Sequence, residues 1–153
     1  MEVKIMAIAD YEEVYQLWSC VNGMGLRSTD DSKKGISIFL LRNPTTNFIA
    51  IINGQIVGVI LCGHDGRRGY IYHAAVISTY RGEGIEKALL KAVYCALEQE
   101  GINKAGLVVF KTNDIGNSFW QSQLAFQKHE KAGAPNDTCL LHILLLPVCF
   151  EDR

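Results

Sequence analysis

Two glycines separated by one residue follow an arginine in the segment Arg81-Gly82-Glu83-Gly84. This segment joins an apolar run that ends near Ser78 to the longest amphipathic helical pattern in the chain, which begins at Ile85. Glycine lets the backbone approach a ligand closely, and the first turn of a helix offers free N–H groups at the positive end of its dipole. The segment therefore favours binding of an anion such as a phosphate.

The same glycine spacing is also compatible with a tight turn that binds no ligand. A Walker phosphate loop would need a Gly-Lys-Ser/Thr ending, and a dinucleotide-binding fingerprint would need a third glycine. Neither feature is present. Taken alone, the segment leaves both the anion site and the plain turn open.

His73 is the candidate for proton transfer, because histidine is the side chain that titrates closest to neutral pH. It lies in the apolar run Tyr70–Ile77, so a histidine with only a packing role is the alternative. His64 and Asp65 lie in a glycine-rich turn, where they would line the mouth of a site or simply form the turn. A water chain would serve as well as any of these side chains.

Helical and strand-like patterns alternate along the chain and predict an α/β fold with a mixed sheet. The elements are expected in this order: a strand in Glu2–Ile8, a helix after Asp10, a helix over Ser32–Arg42, strands at Phe48–Ile52, Ile56–Leu61 and Tyr70–Ile77, a helix from Ile85 to Gly101, a strand at Ala105–Phe110, a helix over Asn113–Gln123, and two closing strands, the last near Cys139–Leu146.

Local signals set several of these boundaries. Asn53-Gly54 predicts a tight hairpin, and the flanking strands are apolar on both faces, which is typical of a sheet covered on two sides. Asp10 with Glu13 resembles a capping box at the start of the first helix. Gly101 is expected to end the long helix in the left-handed conformation.

Length and composition predict one folded domain over residues 1–153, since 48% of the residues are hydrophobic and 20% are charged. A net charge of -1 gives no bulk attraction to nucleic acid or to an anionic membrane. The sequence contains no signal-like segment and no apolar run near the roughly 20 residues of a spanning helix. We therefore expect neither a nucleic-acid nor a membrane partner.

The five cysteines are odd in number and scattered, without a C-x-x-C pair. This usage indicates reduced thiols in a cytoplasmic protein and no metal site. Cys95 falls near the apolar stripe of the long helix, so a core thiol is expected there.

The order of elements resembles that of the GNAT N-acetyltransferase superfamily. The pyrophosphate loop of that family reads Arg/Gln-x-x-Gly-x-Gly/Ala, and Arg81–Glu86 matches its first two fixed positions. A second family signature is similar to Asn113-x-x-Gly116-x-x-Phe119-Trp120 followed by Ala125-Phe126. The resemblance covers essentially the whole chain. It implies an α/β fold of the α+β type, in which helices lie on both faces of a mixed, mostly antiparallel twisted sheet.

The resemblance also implies acetyl-CoA as cofactor and direct attack on it by a primary amine of a small molecule or protein. Backbone groups near Val76 and Ile77 would hold the pantetheine arm and polarise the thioester. Asn113 would contact the CoA arm, and His73 is the candidate base. The pyrophosphate would be held by Arg81 and by the N–H groups of Gly82, Glu83, Gly84, Ile85 and Glu86.

The family usually builds its acceptor pocket near the break that follows the first helix. Met24, in the break Asn22–Gly25, is therefore the candidate for lining that pocket, whereas Trp18 is expected to pack in the core. Asp30 and Asp31 would either attract a cationic amine or cap the following helix.

Three departures from the family pattern keep a second interpretation open. Glu86 stands where glycine or alanine is usual, Ala125 replaces a glycine, and Trp120 occupies a position where many members carry a tyrosine that protonates the leaving thiolate. An indole N–H is not a practical proton donor. The alternative is a non-catalytic acyl-CoA-binding or regulatory module of the same fold. Family members often form homodimers, but the sequence identifies no interface.

Overall fold

A computed structural model describes residues 1–21, 24–27, 29–110, 113–122, 127–129 and 141–147. Its helices and strands follow the predicted order: β1 (Glu2–Ile5), α1 (Tyr11–Cys20), α2 (Lys33–Arg42), β2 (Phe48–Ile52), β3 (Gln55–His64), β4 (Gly69–Val76), α3 (Ile85–Gln99), β5 (Lys104–Phe110), α4 (Asp114–Ser122), β6 (Gln127–His129) and β7 (Leu141–Pro147). Within these ranges, no helix is both long and apolar enough to cross a lipid bilayer.

The seven strands form one sheet in the order β1-β2-β3-β4-β5-β7-β6. Strands β4 and β5 run parallel, and the other neighbouring pairs are antiparallel. The β2–β3 hairpin turns at Asn53 and Gly54, whose φ angles of 51° and 79° are both positive. Two positive φ angles match the twist of a two-residue hairpin, for which Asn-Gly is the preferred pair. The predicted hairpin and the mixed, mostly antiparallel sheet are confirmed.

Helices cover both faces of the sheet, as the apolar strands indicated. Successive residues of a strand point to opposite faces, so Ala50 and Ile60 join a core with α3, whereas Ile49 and Val59 join a core with α1 and α2. Helix α3 buries the predicted stripe that includes Ile85, Leu89, Val93 and Leu97.

Two local expectations are wrong. Cys95 is exposed, because it lies just outside the buried stripe of α3. Asp10 precedes α1, but its side chain does not cap that helix. A short 3-10 turn over Ile8–Asp10 runs directly into α1, and the Asp10 carboxylate instead accepts a hydrogen bond from the Ala7 N–H at 2.8 Å.

Candidate active site

Strands β4 and β5 pair over three residues only, from Gly69 opposite Ala105 to Ile71 opposite Leu107. Beyond this point the two strands are not paired, so among the described residues one edge of β4 has no strand partner from Tyr72 to Val76. The separation coincides with a β-bulge. His73 lies opposite Leu61, whereas Ile71 lies opposite Cys62, so that Tyr72 is an extra residue in β4. A bulge bends its strand and re-aims side chains, and bulges are common beside active sites.

Along the open edge of β4, every second residue directs its backbone N–H and C=O groups into the gap. Ile77 donates its N–H to Val57 O at 2.9 Å, so this donor is already committed to β3. The neighbouring Val76 therefore directs its backbone groups to the opposite edge, where its carbonyl accepts a hydrogen bond from Arg81 Nε at 3.2 Å. Of the two expected pantetheine contacts, Val76 has a backbone that faces the gap, and Ile77 does not have a free N–H.

The loop between β4 and α3 presents free backbone amides. Gly82 and Gly84 have φ angles of 80° and 82°, and Gly84 is the N-cap of α3. The first hydrogen bond of the helix runs from Ala88 N to Gly84 O at 3.0 Å. The N–H groups of residues 84–87 therefore have no acceptor among the described residues. Because glycine has no side chain that could cap them, these amides remain available for an anion.

Two carboxylates accompany this loop. Glu83 is exposed and Glu86 is half-buried in the first turn of α3. Neither forms an ion pair within the part of the chain that the structure describes. A carboxylate in a first helical turn stabilises the helix by about 0.3–1 kcal/mol, which accounts for Glu86 without any ligand.

Asn113 caps α4 through its side chain. Its Oδ1 accepts a hydrogen bond from the Gly116 N–H at 2.9 Å, and a Cβ at Gly116 would lie 2.7 Å from Asn113 Nδ2. The Nδ2 amide has no acceptor among the described residues, so it can still donate. Trp120 is 6% exposed and joins the core on the α3 side, which suits packing. Ala125 and Phe126, which belong to the second signature, lie outside the described residues.

A partly buried hydrogen bond joins His73 on β4 to Asp31 in the loop before α2. His73 Nε2 lies 2.6 Å from Asp31 Oδ1, and the side chains are 15% and 7% exposed. Asp31 is held in turn by the Arg27 N–H, 2.6 Å from Oδ2, and by the Tyr11 hydroxyl, which donates to its carbonyl at 2.8 Å. The rings of Trp18 and His73 contact each other in a T-shaped arrangement, with centroids 5.0 Å apart.

This pair gives His73 a defined orientation. An ionised carboxylate can only accept hydrogen bonds, so a neutral His73 must carry its proton on Nε2. Nδ1 is then the basic nitrogen. The contact between the two residues is not predictable from a local pattern, since they are 42 positions apart. Asp31 is not the helix cap either, because Ser32 Oγ accepts the hydrogen bond from Gly35 N at 3.1 Å.

A cavity of about 990 Å³ lies between α2, β4 and the loop before α2, with the Asp31–His73 pair in its lining. Phe39 and Tyr72 form part of the wall and contact each other edge to face, with ring centroids 5.3 Å apart. Met24, the residue predicted to line an acceptor pocket, packs partly buried against the α1–α2 core and is not part of this lining. The nearby Gly25 and Arg27 line it instead.

His64 and Asp65 form a local turn away from the cavity. His64 Nδ1 accepts a hydrogen bond from Gly66 N, and Asp65 Oδ1 accepts from the backbone N–H groups of Arg67 and Arg68, each at 2.8 Å. The hydrogen bonds from Arg68 and then Arg67 lower the pKa of the Asp65 carboxyl. The turn alternative for these two residues is therefore the one that the contacts support. The described residues contain no cluster of His, Cys, Asp or Glu side chains that could hold a metal ion.

Comparisons with known proteins agree with this geometry. A model of the acetyltransferase (GNAT) family matches residues 11–126. An acetyltransferase of Yersinia pestis (strain Pestoides F) is 35% identical over 114 residues, which cover 74% of this chain and 79% of that protein.

Two solved structures share the fold. The PaiA N-acetyltransferase from Thermoplasma acidophilum in complex with coenzyme A gives a TM-score of 0.80 at 17% identity, covering 95% of this chain and 98% of that one. The ribosomal-protein-S18-alanine N-acetyltransferase from Escherichia coli gives a TM-score of 0.75 at 18% identity, covering 99% and 96%. With a family model over most of its length and a relative above 30% identity, this chain belongs to the acetyltransferase (GNAT) family.

Proposed function

We propose that this acyltransferase moves an acetyl group from acetyl-CoA to a primary amine by direct attack in a ternary complex. The observation that carries the proposal is the set of free amides at residues 84–87, placed beside the unpaired edge of β4. A pyrophosphate needs such donors, and an extended thiol arm needs an open strand edge.

Several residues of this loop, together with Asn113, would bind CoA. The N–H groups at the start of α3 face an anion directly, and the adjacent Gly82 and Gly84 keep side chains out of its way. Arg81 donates a hydrogen bond from Nε to the carbonyl of Val76, so its terminal guanidinium nitrogens remain available for charge-assisted contacts with the phosphates. Asn113 contributes its free Nδ2 from the start of α4. The structure of PaiA with coenzyme A supports a CoA ligand for this fold.

The separation of β4 from β5 explains how donor and acceptor would meet. Helix α3 packs on one face of the sheet, and the cavity with His73 lies on the face of α2. A gap between two strands is where groups from both faces can approach one another. The backbone N–H of Val76, at this gap, would polarise the thioester carbonyl. Because two reactants are positioned side by side, no covalent intermediate on the enzyme is needed.

His73 is the base that this geometry favours. Asp31 keeps the proton on Nε2, so Nδ1 can accept the proton that the attacking amine loses. The amine attacks the carbonyl carbon, the C–S bond breaks, and the CoA thiolate leaves. The acceptor is a small-molecule amine or a protein amino group; the S18-alanine N-acetyltransferase of the same fold acts on a ribosomal protein, as its name states.

The test is release of free thiol from acetyl-CoA by purified protein, across a panel of amines and amino-terminal peptides. We expect release that depends on the acceptor and is absent in Gly84→Asp, a matched variant with an altered phosphate loop. Tight CoA binding without thiol release would favour the non-catalytic module, for which Trp120 in the tyrosine position is the supporting observation. If the protein showed neither CoA binding nor turnover, both interpretations would be wrong.

A further inference from the structure

The charged residues around the cavity are unevenly paired. Arg27, Lys34 and Arg42 line it, and none forms an ion pair within the described residues. The neighbouring Lys33, in contrast, does not line the cavity and contacts Glu12 at 2.9 Å. The cavity therefore carries three cationic side chains that have no carboxylate partner in the described part of the chain, in a protein whose net charge is -1.

The two acidic residues of the lining, Asp30 and Asp31, offset only part of this charge. Asp31 is 5% exposed, and both of its carboxylate oxygens already accept hydrogen bonds, from His73 and from the Arg27 N–H. These hydrogen bonds leave its negative charge in place, so the lining carries three cationic side chains against two carboxylates. Asp30 is exposed and is the remaining acid, so the accessible lining has an excess of positive charge.

Helical geometry places two of the cations on the same face. Lys34, Ile38 and Arg42 are spaced by four residues along α2, which aligns their side chains in one row over about 12 Å. Across from this row, β4 contributes His73 and Tyr72. The cavity thus combines a histidine oriented as a base, an aromatic wall and a row of α2 side chains that has a cation at each end.

We propose that the acceptor is a primary amine that also carries an anionic group, with the amine directed at His73 and the anion at Lys34, Arg42 or Arg27. The inference rests on the acyl transfer proposed above. A simple alkylamine is a cation at neutral pH and would be repelled by this lining, whereas a zwitterionic acceptor would not. Both a small amino acid and a peptide amino terminus followed by an acidic residue have this chemistry.

Matched acceptors test the inference. The peptides Ala-Glu-Gly-amide and Ala-Gln-Gly-amide differ in one charge and share the same terminal amine, and 4-aminobutyrate with 4-aminobutyramide form the small-molecule pair. We expect kcat/KM to be about three- to tenfold higher for the charged member, as for a few partly exposed ion pairs, and the ratio to fall at high salt. Preference within the peptide pair indicates a peptide acceptor, and preference within the other pair indicates a small molecule.

Charge variants locate the effect. Lys34→Gln and Arg42→Gln should each lower the ratio toward one, while Lys33→Gln, the adjacent control outside the cavity, should leave it unchanged. Transfer to both members of each pair at equal rates would overturn the inference and leave the acetyltransferase activity standing. If no acceptor reacts, calorimetric titration of the CoA-saturated protein with the two peptides decides instead, and equal or undetectable binding of both overturns the inference.

Discussion

The hydrogen bond between His73 and Asp31 gives a histidine inside an apolar strand a defined orientation. Its components come from two places in the chain, with Tyr11 and the Arg27 amide holding Asp31 in position. In the proposed reaction, Asp31 would act through His73 as a positioning residue. Its contribution can be separated from that of His73.

His73→Gln should lower kcat by about 100-fold or more with little change in KM for acetyl-CoA, because general-base catalysis contributes roughly that factor. Asp31→Asn should have a smaller effect on kcat, because His73 stays in place but an amide no longer holds its proton on Nε2 as a carboxylate does. Steady-state kinetics between pH 5 and 9 would measure both, and Lys33→Gln is the control. Full kcat in His73→Gln would instead indicate proton transfer through water.

Cys62 provides a second residue-level prediction. Burial raises the pKa of its thiol from 9.0 to about 12, so the folded protein keeps a proton that the unfolded chain releases. Its stabilising contribution is therefore complete below pH 9 and is lost as the pH rises toward 12. Relative to Cys62→Ala, the wild type should lose up to about 1.4 kcal/mol of unfolding free energy per pH unit in this window.

Urea unfolding of both proteins at several pH values from 8 to 11 would measure this difference. Tyr11 and Tyr70, whose pKa values are also raised by burial, are present in both proteins and cancel in the comparison. The pKa of Tyr94 is raised first by burial and then by the charge of Cys62, so part of the measured difference belongs to Tyr94. If the difference in unfolding free energy between the two proteins stayed constant with pH, the raised pKa of the Cys62 thiol would be contradicted.

At the scale of elements, the loop before α3 depends on backbone conformation more than on side chains. A Cβ at Gly84 would meet no atom within 4 Å, so a substitution there is opposed by its φ of 82° and not by packing. The left-handed conformation costs a residue with a side chain about 1–2 kcal/mol. This separates folding effects from ligand effects at the same position.

Gly84→Ala should therefore destabilise the protein by about 1–2 kcal/mol and retain most CoA affinity. Gly84→Asp introduces a carboxylate that can accept hydrogen bonds from the free amides and repel a pyrophosphate. CoA binding should therefore be lost. Calorimetric titration with CoA, together with thermal unfolding of each variant, distinguishes the two. Equal affinity in both variants would show that the phosphates lie elsewhere.

Glu86→Gly should leave CoA affinity equal or better, because it removes a negative charge near the expected phosphates. The helix should lose a few tenths of a kcal/mol or more from the missing carboxylate and the added glycine. The same titration provides the measurement. A marked loss of affinity in a folded Glu86→Gly protein would mean that Glu86 contributes to the site.

At the scale of the whole molecule, the gap between β4 and β5 interrupts an otherwise continuous sheet. A ligand seated there would contact elements on both sides of the gap and should stabilise the fold. At a CoA concentration about 100 times its Kd, linkage predicts about 2.7 kcal/mol, or a rise in Tm of roughly 5–10 °C. Differential scanning fluorimetry would detect it, and an equal rise in Gly84→Asp would contradict binding through the loop.

Much of the architecture could be predicted because its signals are local. Asn53-Gly54 specified the hairpin, Gly101 ended α3 with a φ of 73°, and the spacing of apolar residues in α3 matched its buried stripe. The expected cap at Asp10 and the expected burial of Cys95 were wrong because short motifs do not specify them. A 3-10 turn precedes α1, and Cys95 lies just outside the buried stripe of α3.

By itself, the sequence determined the order of elements and the glycine loop that opens α3, because both depend on residues close together in the chain. Only the tertiary structure decided which of these residues act together. The Asp31–His73 contact spans 42 positions, and the bulge at Tyr72 sets how β4 leaves β5 while the β3 register commits the N–H of Ile77. Strand register and loop packing are long-range properties, so no local pattern could have revealed the oriented histidine or the cationic lining of its cavity.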